Sequence, residues 1–238
     1  MTASTLLLTL KGPMQTWGDA SRFRERGTGP YPTKSGVVGM LAAADGRRRT
    51  DPIEDLAALT FAVRVDQPGS LMKDFQTAQQ WQTGGDNYLV SRYYLADAVF
   101  MAAVESEDRG LLEGLAEAMR RPRFPLFLGR RSCPTNPDLV HGIVEGTAVD
   151  ALREAPWKAS AAHRRQRSTE VVLPIFRDAT AEEERRGEGF PRQDVPLSFA
   201  QENRKYGWRT VVQDPEGAPM ANPDGRRADP FFEEVISA

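Results

Sequence analysis

Residues 60–104 have the sequence TFAVRVDQPGSLMKDFQTAQQWQTGGDNYLVSRYYLADAVFMAAV, and the fold prediction starts from them. Residues 60–66 alternate apolar and polar side chains as a half-buried strand does, and residues 97–104 form a second apolar strand candidate. Between them, residues 74–95 carry two polar arms around a Gly-Gly-Asp-Asn tip. Because Gly, Asp and Asn accept the positive φ angles of tight turns, the pattern predicts a projecting β-hairpin between two core strands.

The predicted hairpin is too polar to bury much surface within its own domain. Trp81 and Tyr88 lie near its tip among polar residues. We therefore expect these two aromatic side chains to contact a partner molecule.

The segments on either side of this stretch complete an order of strands and helices. The predicted elements are a strand at 4–10, a helix at 34–44, a strand at 60–66, the hairpin, a strand at 97–104, a helix at 109–120 and a short strand at 125–128. Ser35 is the expected N-cap of the first helix. This order predicts an α+β fold with a ferredoxin-like or RRM-like core that carries an inserted β-hairpin thumb.

The composition of the chain changes in its second half. Prolines, glycines and charges interrupt strand candidates at 169–176 and 208–212, and the charged stretch at 181–189 is expected to be a mobile loop. We therefore divide the chain into an RRM-like domain at 1–134 and a smaller, irregular, β-rich C-terminal region at 135–238.

The charge balance excludes binding to nucleic acid through a global positive charge, because the formal net charge is −2. Arginine nevertheless occurs in short runs, as at 47–49 and 130–131. Its planar fork of donors pairs with phosphate and stacks on bases. A GC-rich genome would produce the same arginine bias, so only arginines in special positions count as evidence for RNA binding.

A glycine-containing loop at 11–23 is followed by the helix predicted at 34–44. The N–H groups and the dipole of a helix N-terminus favour phosphate, and Lys34, Ser35 and Gly36 lie where a phosphate would bind. The spacing is not that of a Walker A loop. Alternatively, Ser35 only caps the helix and Gly36 only permits close packing. Trp17 is either a core residue or a stacking platform.

Two further arginine positions are candidates for RNA contact. Arg92 and Tyr94 share one face of the hairpin's second strand, where an arginine can pair with phosphate or stack on a base. A solvated strand face is the alternative. Residues 128–134, LGRRSCP, form a tight basic turn that can wrap a bent RNA backbone, whereas Cys133 within it is expected to be a small buried side chain and not a nucleophile.

Metal and cofactor sites are not predicted. A lone cysteine excludes an intramolecular disulfide and a cysteine-rich zinc site. His141 and His163 lack the spacing of metal ligands. The N-terminus has no basic region, and its apolar run is too short for a signal peptide or a membrane span, so the expected location is the cytoplasm.

Several segments, in order along nearly the whole chain, resemble the Cas five family, the handle-binding subunits of type I-E CRISPR Cascade complexes in the RAMP superfamily. These segments are LTLKGPMQTWG, PTKSGVVGMLAAA, DFQT, RYYLADAVF, LGRRSCP, and RQDVPLSF followed by RKYGWRTVV. The resemblance implies an RRM-like core with a thumb hairpin and a glycine-rich loop, in agreement with the element order.

By this resemblance, the chain binds and caps the repeat-derived 5′ handle of the crRNA and contacts the backbone subunit and the large subunit. Target DNA is then engaged indirectly, because guide base pairing reads its sequence for antiviral interference. The thumb would displace a base where handle and spacer meet. The RNA-binding residues implied by the matched segments are Gln15, Trp17, Lys34, Ser35, Gly36, Arg92, Arg130, Arg131 and Ser132.

A related branch of the family cuts precursor RNA with tyrosine, lysine and histidine. Metal-free RNA cleavage needs a base near the 2′-OH and an acid near the leaving oxygen. Neither histidine lies in the segments matched as RNA-binding, so we expect a non-catalytic subunit. The alternatives are a metal-independent endoribonuclease that processes CRISPR precursor RNA and a generic module for single-stranded RNA.

Overall fold

The computed structural model describes residues 3–18, 25–79 and 87–226. The strands in these ranges are β1 (Ser4–Lys11), β2 (Met14–Gln15), β3 (Glu25–Arg26), β4 (Thr60–Gln67), β5 (Ser70–Ala78), β6 (Tyr88–Ala96), β7 (Val99–Ser106), β8 (Val140–Glu145), β9 (Glu170–Leu173), β10 (Ile175–Asp178), β11 (Phe190–Ser198), β12 (Lys205–Gln213) and β13 (Ala218–Ala221). The helices are α1 (Lys34–Asp45), α2 (Glu54–Ala57), α3 (Arg109–Arg120), α4 (Ala148–Glu154), α5 (Ala161–Arg164) and α6 (Ala181–Arg186).

The largest sheet has seven strands in the order β11-β12-β10-β4-β7-β1-β8, and each neighbouring pair is antiparallel. Leu6, Leu8 and Leu10 of β1 pack with α1 and α3 in a core on one face. Leu7 joins a second core on the other face, with α4. Because side chains alternate between the faces of a strand, burial of both faces explains the nearly continuous apolar sequence of β1.

A ferredoxin-like unit lies within this sheet. Strands β1, β4, β7 and β8 alternate with α1 and α3 in the order strand, helix, strand, strand, helix, strand, and they are neighbours as β4-β7-β1-β8. The predicted α+β class and ferredoxin-like core are confirmed.

The final strand of this unit was predicted at the wrong place, at residues 125–128. Phe127 makes only an isolated bridge with Pro134, and the amide of Leu128 donates to the carbonyl of Cys133 at 2.7 Å. These contacts close a tight turn instead of extending a strand. The strand that completes the unit is β8, which pairs with β1.

Strands from the second half of the chain extend the same sheet. β10 pairs with β4, and β12 and β11 follow beyond it. The strand predicted at 169–176 is divided at Pro174, so that β9 pairs with β13 in a separate two-stranded sheet. Proline has no N–H to donate, which ends the ladder there. The division of the chain at residue 134 stays a prediction, and strands from both sides of it share the main sheet.

The charged stretch at 181–189 begins with a helix, so the prediction of a loop there is wrong. Thr180 and Glu183 form a capping box at the start of α6, and Gly187, with a φ of 69°, ends the helix in the left-handed conformation. Arg177 of β10 holds Glu183 by two hydrogen bonds of 2.7 and 2.8 Å.

Helix α1 begins where the sequence predicted but with a different cap. Thr33 has an extended backbone, and its Oγ1 accepts a hydrogen bond from the amide of Gly36 at 3.1 Å. Ser35 lies already inside the first turn, so the prediction that it is the N-cap is wrong. Gly46, with a φ of 84°, ends the helix.

The predicted hairpin is present as β5 and β6, which pair over nine residues each. It belongs to a separate small sheet, in which β6 also pairs with β2 and runs parallel to β3. The tip of the hairpin, including Trp81, lies outside the described residues. Among the described residues, the thumb is joined to the main sheet through short connections and not through strand pairing.

Candidate nucleic-acid interface

A groove of about 960 Å³ lies between the base of the thumb and the β11–β12 hairpin. Its lining comes from five places: the loop at 16–18, β3 with Gly27, the start of α1, the turn at 129–130, and the β11–β12 hairpin. We call it the basic groove, because its charged lining residues are Arg26, Arg130, Arg204 and Lys205, and none of the lining residues that the structure describes is acidic. Such a surface attracts phosphate.

The turn that carries Arg130 packs closely against the loop after β2. The amide of Thr16 donates to the carbonyl of Leu128 at 3.1 Å. Gly129 has a φ of 88°, and a Cβ at this position would overlap the carbonyl oxygen of Thr16. Only glycine permits this approach, so the backbone fixes Arg130 at the edge of the groove.

Arg130 is one of three arginines near the base of the thumb. Its guanidinium lies over the ring of Tyr94, 5.1 Å from the centroid, and its Nη2 is 3.4 Å from the carbonyl oxygen of Arg26. Arg26 is in register with Arg92 across β3 and β6. Nε of Arg92 is buried and lacks a hydrogen-bond partner among the described residues. Positive charge from β3, β6 and the basic turn therefore converges here.

Gln15 and Trp17 are buried supports of the groove. Nε2 of Gln15 donates to the carbonyls of Leu10 and Ala98, and Nε1 of Trp17 donates to Oε1 of Gln15. Only 1% of Trp17 is exposed, so its ring belongs to the core and cannot stack on a base. Any RNA contact by these residues must run through their backbone.

The N-terminus of α1 already holds an anion, the carboxylate of Asp194. The amide of Lys34 donates to Oδ2 of Asp194 at 2.9 Å, and the amide of Gly36 donates to Thr33. An external phosphate would have to displace both partners. A Cβ on Gly36 would approach the Trp17 ring to 2.9 Å, which identifies close packing as one role of this glycine.

The side chain of Lys34 is part of an internal ion network. Its Nζ is 3.5 Å from Oδ2 of Asp178, and burial lowers the pKa of Lys34. Arg209 links the two carboxylates, with 2.6 Å to Asp178 and 2.6 and 2.9 Å to Asp194. Burial alone would lower the pKa of Arg209, but its hydrogen bonds and charge interactions with Asp194 and Asp178 together outweigh burial and raise the pKa. The ammonium of Lys34 is thus used inside the protein.

The family model described as CRISPR-associated protein (Cas_Cas5) matches residues 5–212. The chain belongs to this Cas5 family. A relative from Escherichia coli (strain K12), the CRISPR system Cascade subunit CasD, is 35% identical over an alignment of 164 residues that covers 60% of this chain and 71% of that protein.

Solved structures support the Cas5 family fold over nearly the full length. One chain of a CRISPR RNA-guided surveillance complex is 31% identical, with a TM-score of 0.72 and 98% of each chain covered. Another, described as the crystal structure of a Cas protein, is 35% identical, with a TM-score of 0.60, covering 95% of this chain and 100% of that one.

The basic groove of this Cas5-family chain gathers some of the predicted site residues and leaves others outside. Its lining includes Trp17, Ser35, Gly36 and Arg130. Arg131 and Ser132 are exposed on the same turn, next to the groove. Tyr88, at the start of β6, is 46% exposed.

Several groove residues were missed by sequence reasoning. Nothing in the sequence distinguished Arg26 from the other arginines of the chain. Arg204, Lys205 and Tyr206 lie in the segment RKYGW, for which the sequence predicted no site. The signal was present, since cations followed by aromatic residues are typical of RNA-binding strands. Only the fold shows that this segment lines the same groove as the residues of the basic turn.

Histidine is absent from the described lining of the basic groove. His163 lines a separate cavity of about 860 Å³, beside Lys11 and Asp97, and burial lowers its pKa. His141 is exposed on β8. Within residues 3–18, 25–79 and 87–226, no group of metal-ligating side chains is found, and no helix is long and apolar enough to cross a membrane.

Proposed function

We propose that this Cas5-family chain is a non-catalytic subunit of a type I-E Cascade surveillance complex and binds the 5′ handle of the crRNA in the basic groove. The observation that carries the proposal is the groove itself, with four cationic residues and no acidic residue in its described lining. RNA phosphates supply the matching negative charge. The similarity to CasD and to a surveillance-complex chain supports the choice of this RNA.

The partners proposed besides RNA are the backbone subunit and the large subunit of the complex. Support comes from one face of the thumb, where Leu71, Phe75 and Leu89 are 67%, 57% and 58% exposed. In the register of β5 with β6, Thr77 lies opposite Leu89 and Leu71 opposite Leu95, which places the three exposed side chains on one face. Exposed apolar residues on one surface are typical of protein contacts.

We also propose that the protein is located in the cytoplasm. Cys133, the only cysteine in the chain, is buried and free, and burial raises the pKa of its thiol. A buried thiol with a raised pKa is inert, which is compatible with a reducing compartment.

Direct binding of handle RNA tests the main proposal. Purified chain is titrated into labelled RNA with the handle sequence, and unlabelled handle RNA or a scrambled sequence competes. We expect the handle RNA to compete better than the scrambled RNA. Equal competition would indicate a generic module for single-stranded RNA, and lack of binding would refute the proposed function.

A cleavage assay tests the alternative of a metal-independent endoribonuclease. The chain is incubated with repeat RNA in EDTA, together with the variants His141→Ala and His163→Ala. We expect intact RNA in every case, because a general acid and a general base are needed close to the scissile bond and the groove has no described histidine. Specific cleavage that either variant abolishes would overturn the non-catalytic assignment.

A further inference from the structure

We infer that the β11–β12 hairpin is a second RNA-binding element, in which Arg204 and Lys205 bind phosphate and Tyr206 stacks on a base. The inference rests on the proposed function and extends it to the part of the basic groove that this hairpin lines, which we call the second wall. It assigns a role to a segment that is far from the thumb and from the basic turn in the chain.

The cations in the middle of this hairpin and those at its loop end differ in their partners. Arg209, in the middle of β12, is bound by Asp194 and Asp178. Arg204 and Lys205, at the loop end, are exposed and form no ion pair with any described residue. Two adjacent cations without a carboxylate partner beside a groove can accept phosphates without first breaking an internal pair.

Hydrogen bonds to Asp194 hold the hairpin in place. Asp194 of β11 receives two hydrogen bonds from Arg209 and one from the amide of Lys34, so one carboxylate ties β11 to β12 and to α1. Side chains on a fixed strand lose less conformational entropy on binding than side chains on a loose loop. The internal network therefore positions the exposed end of the hairpin over the groove.

An aromatic residue, Tyr206, directly follows the two cations in the sequence. Tyr206 lines the groove together with the exposed side chain of Leu197. Single-stranded RNA offers an unpaired base beside each phosphate, and cations interleaved with an aromatic ring match this repeat.

The test measures affinity for handle RNA at several salt concentrations. We expect the double variant Arg204→Ala, Lys205→Ala to bind about tenfold more weakly. The negative slope of log affinity against log salt should become shallower by about 1.4, because each phosphate that is no longer neutralised reduces its magnitude by about 0.7. The control is Arg48→Ala, Arg49→Ala, which removes the same charge from two exposed residues away from the groove. Equally weakened binding in both double variants would overturn the inference.

Three substitutions test the stacking step. We expect Tyr206→Ala to weaken binding several-fold and Tyr206→Phe to keep the affinity of the natural chain, because phenylalanine retains the ring. Trp208, which is 66% exposed on β12 but does not line the groove, provides the control Trp208→Ala with unchanged affinity. If Trp208→Ala weakens binding and Tyr206→Ala does not, the assignment of Tyr206 is wrong.

The outcomes separate this inference from the proposed function. If the natural chain binds handle RNA and Arg130→Ala weakens binding while Arg204→Ala, Lys205→Ala leaves it unchanged, the second wall is refuted and the proposed function stands. If the natural chain does not bind the handle, both fail. Thermal melting of each variant confirms that it is folded.

Discussion

The side chains of Arg64 and Asp66, two positions apart on β4, form an ion pair from which solvent is excluded, with Nε of Arg64 2.7 Å from Oδ1 of Asp66. The guanidinium also donates to the carbonyls of Ala155 and Pro156, and the carboxylate accepts from the amide of Lys158 at 2.6 Å. The pair thereby fastens the segment after α4 to the second face of the main sheet.

Asp66→Ala should destabilise the fold strongly. The substitution leaves the Arg64 guanidinium buried without its counter-charge, which costs about 3–5 kcal/mol of unfolding free energy. The control is Glu113→Ala, which breaks the exposed pair with Arg109 on α3 and costs less than about 1 kcal/mol. Urea unfolding of both variants gives the comparison, and similar destabilisation would contradict the role assigned to the buried pair.

Gly129→Ala should destabilise the basic turn. Alanine tolerates a φ of 88° poorly, and its Cβ would collide with the carbonyl of Thr16, so we expect a decrease of more than about 1 kcal/mol in unfolding free energy. Gly114→Ala is the control, because that glycine lies within α3 with open space around it and should gain about 0.5–1 kcal/mol. The two melting temperatures should move in opposite directions.

The hydrogen bonds that cap α6 should make the unfolding free energy depend on pH. Hydrogen bonds from Arg177 and Thr180 lower the pKa of Glu183 from 4.5 to about 2. A carboxyl whose pKa falls on folding contributes stability above its unfolded pKa and loses it as pH falls through the folded one. Between pH 4.5 and 2, the natural chain should therefore lose stability more steeply than Glu183→Gln. Parallel curves would contradict the prediction.

The double variant Arg130→Ala, Arg131→Ala should weaken handle binding and flatten its salt dependence. Fewer phosphates are then neutralised, so fewer counterions are released on binding. Affinity measured from low to moderate salt tests this, with Arg48→Ala, Arg49→Ala as the control for net charge. An unchanged slope would count against the basic turn as a phosphate site.

Substitutions on the exposed face of the thumb should affect assembly and not stability. Phe75→Ser and Leu89→Ser remove apolar side chains that are more than half exposed, so thermal stability should change little. We expect weaker joining of the neighbouring backbone subunit and weaker retention of guide RNA. Val172→Ser, at an exposed position on β9, is the control that should assemble normally. Normal assembly of the thumb variants would refute this surface.

The parts of the fold that the sequence predicted are those with local signals. Helix α3 has an amphipathic pattern and an N-cap at Asp108, and the thumb sequence has Gly-Gly-Asp-Asn between two arms that pair as β5 and β6. Strand β8 was missed because its six residues gain their strand conformation from pairing with β1, more than a hundred residues earlier. Local propensity carries no information about such pairing.

In the candidate site, too, local sequence signals could be read and contacts between distant residues could not. Arg130 could be found from the local glycine and arginine sequence of its turn. The contact between the amide of Lys34 and Asp194 joins residues 160 positions apart, so the sequence placed a phosphate where the fold places a carboxylate. The position of Arg204 in the same groove as the basic turn also depends on pairing between separate segments, that of β12 with β10.

The strand order also has a consequence for synthesis on the ribosome. When the first 134 residues have emerged, β4, β7 and β1 can pair, but β10 and β8, their outer neighbours, have not yet left the exit tunnel. The nascent sheet then presents two open edges and an apolar surface that α4 has not yet covered. Open edges of apolar strands are templates for aggregation, so nascent chains of this protein need protection until residue 178 has left the exit tunnel.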